Sequence, residues 1–482
     1  MALPEDFHFL SVVEMAERIR AREFSCVELM HGMLQRIRTV DPDLHSYIFL
    51  AVEESLRAAE KADAMLAAGE QVGPLHGIPI AVKDVINAAG MPTTANSRLL
   101  QHWVAKEDAT VIARLKAAGA IITGKLNLNE FAWSIPAESD LTPPPRNPWN
   151  PAHATIGSSS GSGAAVAAGL CFGSFGTDAG GSIRLPSASC GLIGLKPTHG
   201  RISRYGVMGC RTIMDVGPMA RNVVDTALLL QVAVGHDAKD PDSLGDSISD
   251  YSSALADGLR GLRLGVPWKE IEAAGVNPEM QAAFEAALQG LESLGAEIRT
   301  VKPKWLAEAR AANFVALNAE EYSAHEHSLC KHPDAYGLSA RTYLLQGAFL
   351  SSADYLRALR VRAIVSDELD RLLEEVEILI TPTSPFLTPD AAREPSAHRR
   401  GGGAVFTAPF NLTGYPALSM PCGVSSTGLP MGVQLAGRRL EEARLLQTAA
   451  RFQEHIGWNR RAAIDFVRRR QDQSVCQETS HC

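Results

Sequence analysis

The sequence predicts an α/β fold: a sheet of short strands covered by helices on both faces. Three stretches carry this. A helical stretch, a glycine and a short apolar run follow one another in "DATVIARLKAAGAIITGK", residues 108–125. The same order returns in "NPEMQAAFEAALQGLESLGAEIRTV", residues 277–301, where Asn277 suits the N-cap and Pro278 the first helical position. Helix then strand comes once more in "SDELDRLLEEVEILITPT", residues 366–383. Helices alternating with short buried strands are the pattern of a sheet shielded on both sides.

The first 70 residues read as helices. Ser25 with Glu28 forms a capping box, and Val27, Leu29, Met30, Met33, Leu34 and Ile37 follow at helical spacing. Residues 51–69 are a second helix, closed by Gly69. "HGIPIAVKDV", residues 76–85, is strand-like through Ile78, Ile80, Val82 and Val85. Residues 392–403 have little to bury and read as a mobile loop, a candidate lid. Residues 468–482 read as a disordered tail. The expected organisation is a helical segment 1–70 packed on one α/β domain, 71–467.

Bulk properties exclude several classes. The chain has 482 residues, 46% hydrophobic and 21% charged, an ordinary soluble composition. A net charge of −8 argues against general affinity for nucleic acid or anionic membrane. The most apolar stretch, residues 163–176, is too short to span a bilayer. The opening "MALPEDFHFL" has no basic stretch before an apolar run, so no secretory leader is expected. The 8 Cys show no C-x-x-C spacing and read as reduced thiols. His325, His327 and Cys330 match no usual ligand spacing, so no metal is expected. These readings predict a cytoplasmic enzyme.

Three places can carry chemistry. Lys83 sits in an otherwise apolar strand. It either snorkels to water or is held inside, where desolvation would make it a usable neutral base. "TIGSSSGSGAAVAAG", residues 155–169, opens an Ala-rich helix. It lacks the Lys of a phosphate loop. Gly157–Gly161 fits G-x-S-x-G, centred on Ser159, but a nucleophile elbow follows a strand and "NPWNPAHAT" reads as a Pro-broken loop. A Ser-rich turn lending hydroxyls to a neighbouring site fits as well. The third place is "GTDAGGSIRLP", residues 176–186. Gly176, Gly180 and Gly181 free the backbone so that the N–H groups of Ala179, Gly180, Gly181 and Ser182 can converge, as an oxyanion hole requires. Ser182 could then attack a carbonyl held there, given a base. His199 and Lys83 both stand as candidates for that base.

At this point the chain resembles the amidase signature family. "HGIPIAVKDV", "RNPWNP", "GSSSGSGAAVAAG" and "GTDAGGSIRLPSASCGLIGLKPTHGRISRYG" match in order, followed by "ILITPTSP" and "FTAPFNLTGYPALSMPCGVSSTGLPMGVQLAG". The resemblance runs from about residue 8 to about residue 465. It implies a central mixed, twisted sheet and a Ser–cis-Ser–Lys triad of Lys83, Ser158 and Ser182. Ser159 would support Lys83. Thr177, Asp178 and Arg184 would brace the nucleophile loop, and Phe131, Ala132, Trp133 and Ser134 would border the substrate. The pocket would be shaped largely by residues 302–350 and 384–405.

The implied activity is hydrolysis of a carboxamide by a stand-alone amidase, with anilides, esters and carbamates as further substrates. No cofactor is implied. The partners implied are a small-molecule amide and a second copy in a homodimer, with no nucleic acid and no membrane. Three alternatives stand beside it: the A subunit of a glutamyl-tRNA(Gln) amidotransferase, a serine esterase using Ser159, and a binding protein with a relic site. Residues 351–365 lack the aromatic-rich stretch associated with that amidotransferase chain. The family loop usually reads G-G-S-S-G-G-S, whereas here Ile156 and Ser160 replace two glycines.

Overall fold

The computed structural model describes residues 3–133, 141–389 and 402–458. The lid reading falls mostly outside these residues, and the tail reading and Ser134 entirely so. Thirteen strands are formed among them. They are β1 (Tyr47–Leu50), β2 (Pro79–Lys83), β3 (Ile121–Leu126), β4 (Arg146–Asn147), β5 (Asn150–Ala154), β6 (Gly173–Asp178) and β7 (Ile193–Lys196). The others are β8 (Asp215–Ala220), β9 (Arg263–Val266), β10 (Glu297–Thr300), β11 (Ile378–Pro382), β12 (Ala417–Val424) and β13 (Pro430–Gly437).

Eleven of these make one mixed sheet, in the order β1-β3-β2-β6-β8-β7-β12-β13-β11-β9-β10. The predicted α/β class is therefore the observed one. β2 pairs in parallel with both β3 and β6, while β6 pairs antiparallel with β8. β2, β3 and β6 are buried along their whole length. Such strands need side chains that are apolar or fully partnered, because either face meets protein.

The helical forecasts hold where the caps are strong. Ser25 accepts from the Glu28 N–H at 3.0 Å and donates its own N–H to the Glu28 carboxylate at 2.7 Å. Pro278–Ser293 begins behind Asn277, whose side chain accepts from the Glu279 N–H at 2.9 Å. The buried residues of the helices Val12–Arg20 and Cys26–Leu44 belong to the same core cluster as the strands.

Three readings need correction. Residues 1–70 are not all helix, because β1 lies between two helices and pairs antiparallel with β3 at the sheet edge. All four of its residues are only half-buried, so no alternation marks it. β10 is not a buried strand. It is the other edge, with three of its four residues exposed. The Pro-broken segment before Gly157 is not a loop: β4 and β5 form a separate two-stranded ribbon there.

Candidate active site

β2 and β6 are parallel neighbours, so their C-terminal ends emerge together on one side of the sheet. This is where open α/β sheets place their binding crevices. Lys83 ends β2 and Thr177 lies next to the end of β6. The third element is the loop joining β5 to the helix Ser160–Ala167. That helix packs on β2, β3, β6 and β8 through small, fully buried residues, which lets its N-terminus approach the strand ends.

Lys83 is fully buried. Its Nζ donates to Ser158 Oγ at 2.7 Å and to Thr177 Oγ1 at 2.9 Å. The other two fully buried lysines make a useful contrast. Lys125 is paired with Asp84 at 2.9 Å, and Lys196 with Asp215 at 2.8 Å. Lys83 has only hydroxyl partners. Burial lowers its pKa to about 7, with the Asp178 charge opposing the shift in part. A buried ammonium held only by hydroxyls gives up its proton readily, so Lys83 can serve as a base near neutral pH.

Ser158 follows a cis peptide bond from Gly157. Ser159 makes no hydrogen bond to Lys83 among the described residues. Its hydroxyl donates to the Thr177 carbonyl at 3.3 Å, and its N–H donates to the Ser182 carbonyl at 3.2 Å. Ser159 therefore ties three parts of the site together from behind. An elbow nucleophile must stand exposed at the top of a sheet. Ser159 is fully buried, so the esterase reading centred on it fails. Gly176 explains the close fit, because a Cβ there would lie 2.7 Å from Ser159 Oγ.

Ser182 is half-buried, and its carbonyl is held by the Ser159 N–H. Its hydroxyl takes no hydrogen bond among the described residues, which leaves it available to a ligand. His199, the alternative base, is committed elsewhere: its Nδ1 lies 2.9 Å from Asp215 Oδ1.

The loop before Ser182 is held carbonyl by carbonyl. Asn411 Nδ2 donates to the Asp178 carbonyl at 2.7 Å, and Thr407 Oγ1 to the Gly180 carbonyl at 2.7 Å. The Leu185 N–H donates to the Gly181 carbonyl at 2.7 Å. The Gly180 and Ser182 N–H groups have no acceptor among the described residues. The four-donor reading is corrected at Gly181, whose N–H is taken by Asp178 Oδ1 at 2.6 Å. Gly181 has a φ of +127°, and a Cβ there would lie 2.5 Å from Thr407 Oγ1. Only glycine enters that conformation at this spacing without cost.

Asp178 pairs with Arg184 and accepts from the Gly181 and Ile183 N–H groups. Both are fully buried, with Arg184 Nη2 2.9 Å from Asp178 Oδ1. Arg184 also donates to the Thr407 carbonyl, Gln434 Oε1 and Asn411 Oδ1, at 2.9, 2.7 and 2.6 Å. Burial alone would raise the Asp178 pKa. The Arg184 charge and the hydrogen bonds to its carboxylate instead hold it well below the usual range. Thr407, Asn411 and Gln434 lie inside the late motif "FTAPFNLTGYPALSMPCGVSSTGLPMGVQLAG", but the sequence assigned them no task.

The proposed substrate border divides. Phe131 turns inward and packs its ring on His325 and Tyr336, at 4.3 and 5.4 Å between centroids. Trp133 is half-buried, packs on Phe314 and Tyr343, and shares an apolar cluster with Ala179. Phe131 and Ala132 both have left-handed backbone, at φ +52° and +58°. Such conformations cost energy and gather at functional sites. Ile156 is half-buried, and Ser160 is fully buried with its hydroxyl unpartnered among the described residues. No described helix is long and apolar enough to cross a membrane.

Known proteins resemble this chain over most of its length. The amidase family profile matches residues 28–446. The A subunit of the glutamyl-tRNA(Gln) amidotransferase of Thermosynechococcus vestitus is 38% identical over 479 residues, covering 93% of this chain and 99% of that protein. A solved chain from a vestigial protein complex, described as revealing the evolutionary origins of an s-triazine catabolic enzyme, superposes with a TM-score of 0.86. It is 32% identical, with 92% of this chain and 98% of that one covered. A 6-aminohexanoate cyclic dimer hydrolase, solved with its substrate, has a TM-score of 0.85 and 27% identity, covering 94% of this chain and 98% of that one. Matched over most of its length by the family profile and by these relatives, the chain belongs to the amidase family, enzymes that act on amide C–N bonds.

Proposed function

We propose that this protein hydrolyses a small-molecule carboxamide through an acyl-enzyme on Ser182. The observation that carries the reading is Lys83, buried without a carboxylate partner and 2.7 Å from Ser158 Oγ. Neutral Lys83 accepts the Ser158 proton while Ser158 accepts that of Ser182. Ser182 Oγ attacks the amide carbon. The Gly180 and Ser182 N–H groups, with that of Ala179 at the exit of β6, receive the developing oxyanion. The relay then returns the proton to the departing amine, and the C–N bond breaks. Water enters by the same route and releases the acid. Anilides, esters and carbamates present the same carbonyl and are accessible to the same steps.

The test is labelling with a fluorophosphonate, followed by peptide mapping. A single adduct on Ser182 that weakens in Lys83→Ala supports the reading. An adduct elsewhere, or unchanged labelling without Lys83, overturns it.

A second reading has its own support. A relative 38% identical over 93% of this chain is the A subunit of an amidotransferase. On that reading the same Ser182 chemistry releases ammonia from glutamine for partner subunits. Glutaminase activity together with co-purifying partner chains would favour it. Turnover of simple amides by the isolated chain, without glutaminase activity, would favour the stand-alone enzyme.

A further inference from the structure

We infer that Asn313 is a positioning residue: through the Ala179 carbonyl it aims the Gly180 N–H at the oxyanion. This rests on the reading of Ser182 as nucleophile. Asn313 lies on the helix Leu306–Lys331, 134 residues beyond the carbonyl it holds. Its Nδ2 donates to the Ala179 carbonyl at 3.0 Å. That carbonyl and the Gly180 N–H belong to one planar trans peptide and point in opposite directions. Holding the carbonyl therefore fixes where the N–H points.

The neighbouring peptides show what this bond contributes. The peptide between Gly180 and Gly181 is held at both ends, by Thr407 and by Asp178. The peptide between Ala179 and Gly180 is held only at its carbonyl, by Asn313, and its N–H stays open. Without Asn313 that plane has no described restraint on its rotation, and the glycine at its far side offers no steric one. A donor helps catalysis to the extent that it is already aimed where charge develops.

Packing gives a second argument. The face of the helix around this position is apolar, with Ala309, Ala312, Ala316 and Leu317 all buried. The helix buries two other polar residues, Asn318 and Glu321, and their acceptors are met by Trp133 Nε1 and the Cys210 N–H. Asn313 is fully buried, and its Oδ1 has no partner among the described residues. A buried acceptor left unmade costs about 1–3 kcal/mol. A position chosen for packing would hold Leu or Ala. The one bond Asn313 does make is to the oxyanion loop.

The experiment compares Asn313→Leu and Asn313→Ala with the parent on one amide and one ester, and measures binding of a trifluoromethyl ketone. The Ala variant favours the helix, adds no charge and lacks the donor, so it decides the matter if the Leu variant does not fold. The expected result is a fall in kcat of about 10–100-fold on both substrates, KM within about threefold, and ketone affinity lost by the same factor as kcat/KM. A side chain that merely packs the helix would not tie ketone affinity to kcat/KM. A folded variant with unchanged kcat, or a loss confined to KM with ketone affinity intact, overturns the inference. Ser182→Ala serves as the control. If it retains activity, the nucleophile assignment fails instead, whatever Asn313 does.

Discussion

The acid limb of activity should report the proton on Lys83. The perturbation is pH, applied with a substrate that does not titrate. An ordinary lysine, near 10.5, would be neutral in only about one molecule in 3,000 at pH 7. Burial lowers Lys83 to about 7, so about half the molecules carry a neutral amine at that pH. The neutral form is the active one, so activity is gained as pH rises. kcat/KM should climb with unit slope from pH 5, reach half its plateau near 7 and level off above about 8. At pH 5 it should stand about 100-fold below the plateau.

Stability must move consistently with this. The folded state releases the Lys83 proton at lower pH than the unfolded chain does. The unfolded chain therefore binds more protons between about 7 and 10.5, and this site's contribution to stability rises with pH across that window. Below 7 the penalty is at its full size, about 5 kcal/mol as an upper bound. Lys83→Met should thus raise stability at pH 6 and change it little at pH 10.5, while abolishing turnover. The assays are a kcat/KM profile from pH 5 to 9 and urea denaturation at the two pH values. A flat profile across that range, or a limb near 10, would refute the reasoning.

Two further outcomes follow from the buried groups around the site. Arg184→Met should destabilise the protein by about 3–5 kcal/mol in urea at pH 7, because it strands the Asp178 carboxylate in the interior. In the parent, the depressed Asp178 pKa contributes stability that is complete above the unfolded value and is lost as pH falls through the folded one. The variant's deficit should therefore narrow under acid. Ser160→Ala should raise stability by about 1 kcal/mol and leave kcat unchanged, read by denaturation and by kinetics. It removes a fully buried hydroxyl without a partner among the described residues, and one that takes no part in the hydrogen bonds of the Lys83 relay.

The α/β class, the capped helices and the candidate catalytic residues were legible in the chain alone. These are properties of short stretches. Ser25 and Glu28 cap one helix within four residues, and each of Lys83, Ser158 and Ser182 stands inside a local motif. Other features exist only in the assembled fold. β1 and β10 became edges because of where they pair, which no alternation within four residues encodes. Lys83 was an ambiguous strand lysine until β6 and the Ser158 loop closed over it and left it with hydroxyls alone. Gly181 looked like a free donor until Asp178 took its N–H. Asn313 carried no signal at all, being one of many polar residues in a long helix. One cause is common to these cases. Capping and periodicity are set by neighbours a few residues apart. A buried group's charge and a peptide's orientation are set by whatever the fold brings against them, here from as far as 250 residues away in the chain.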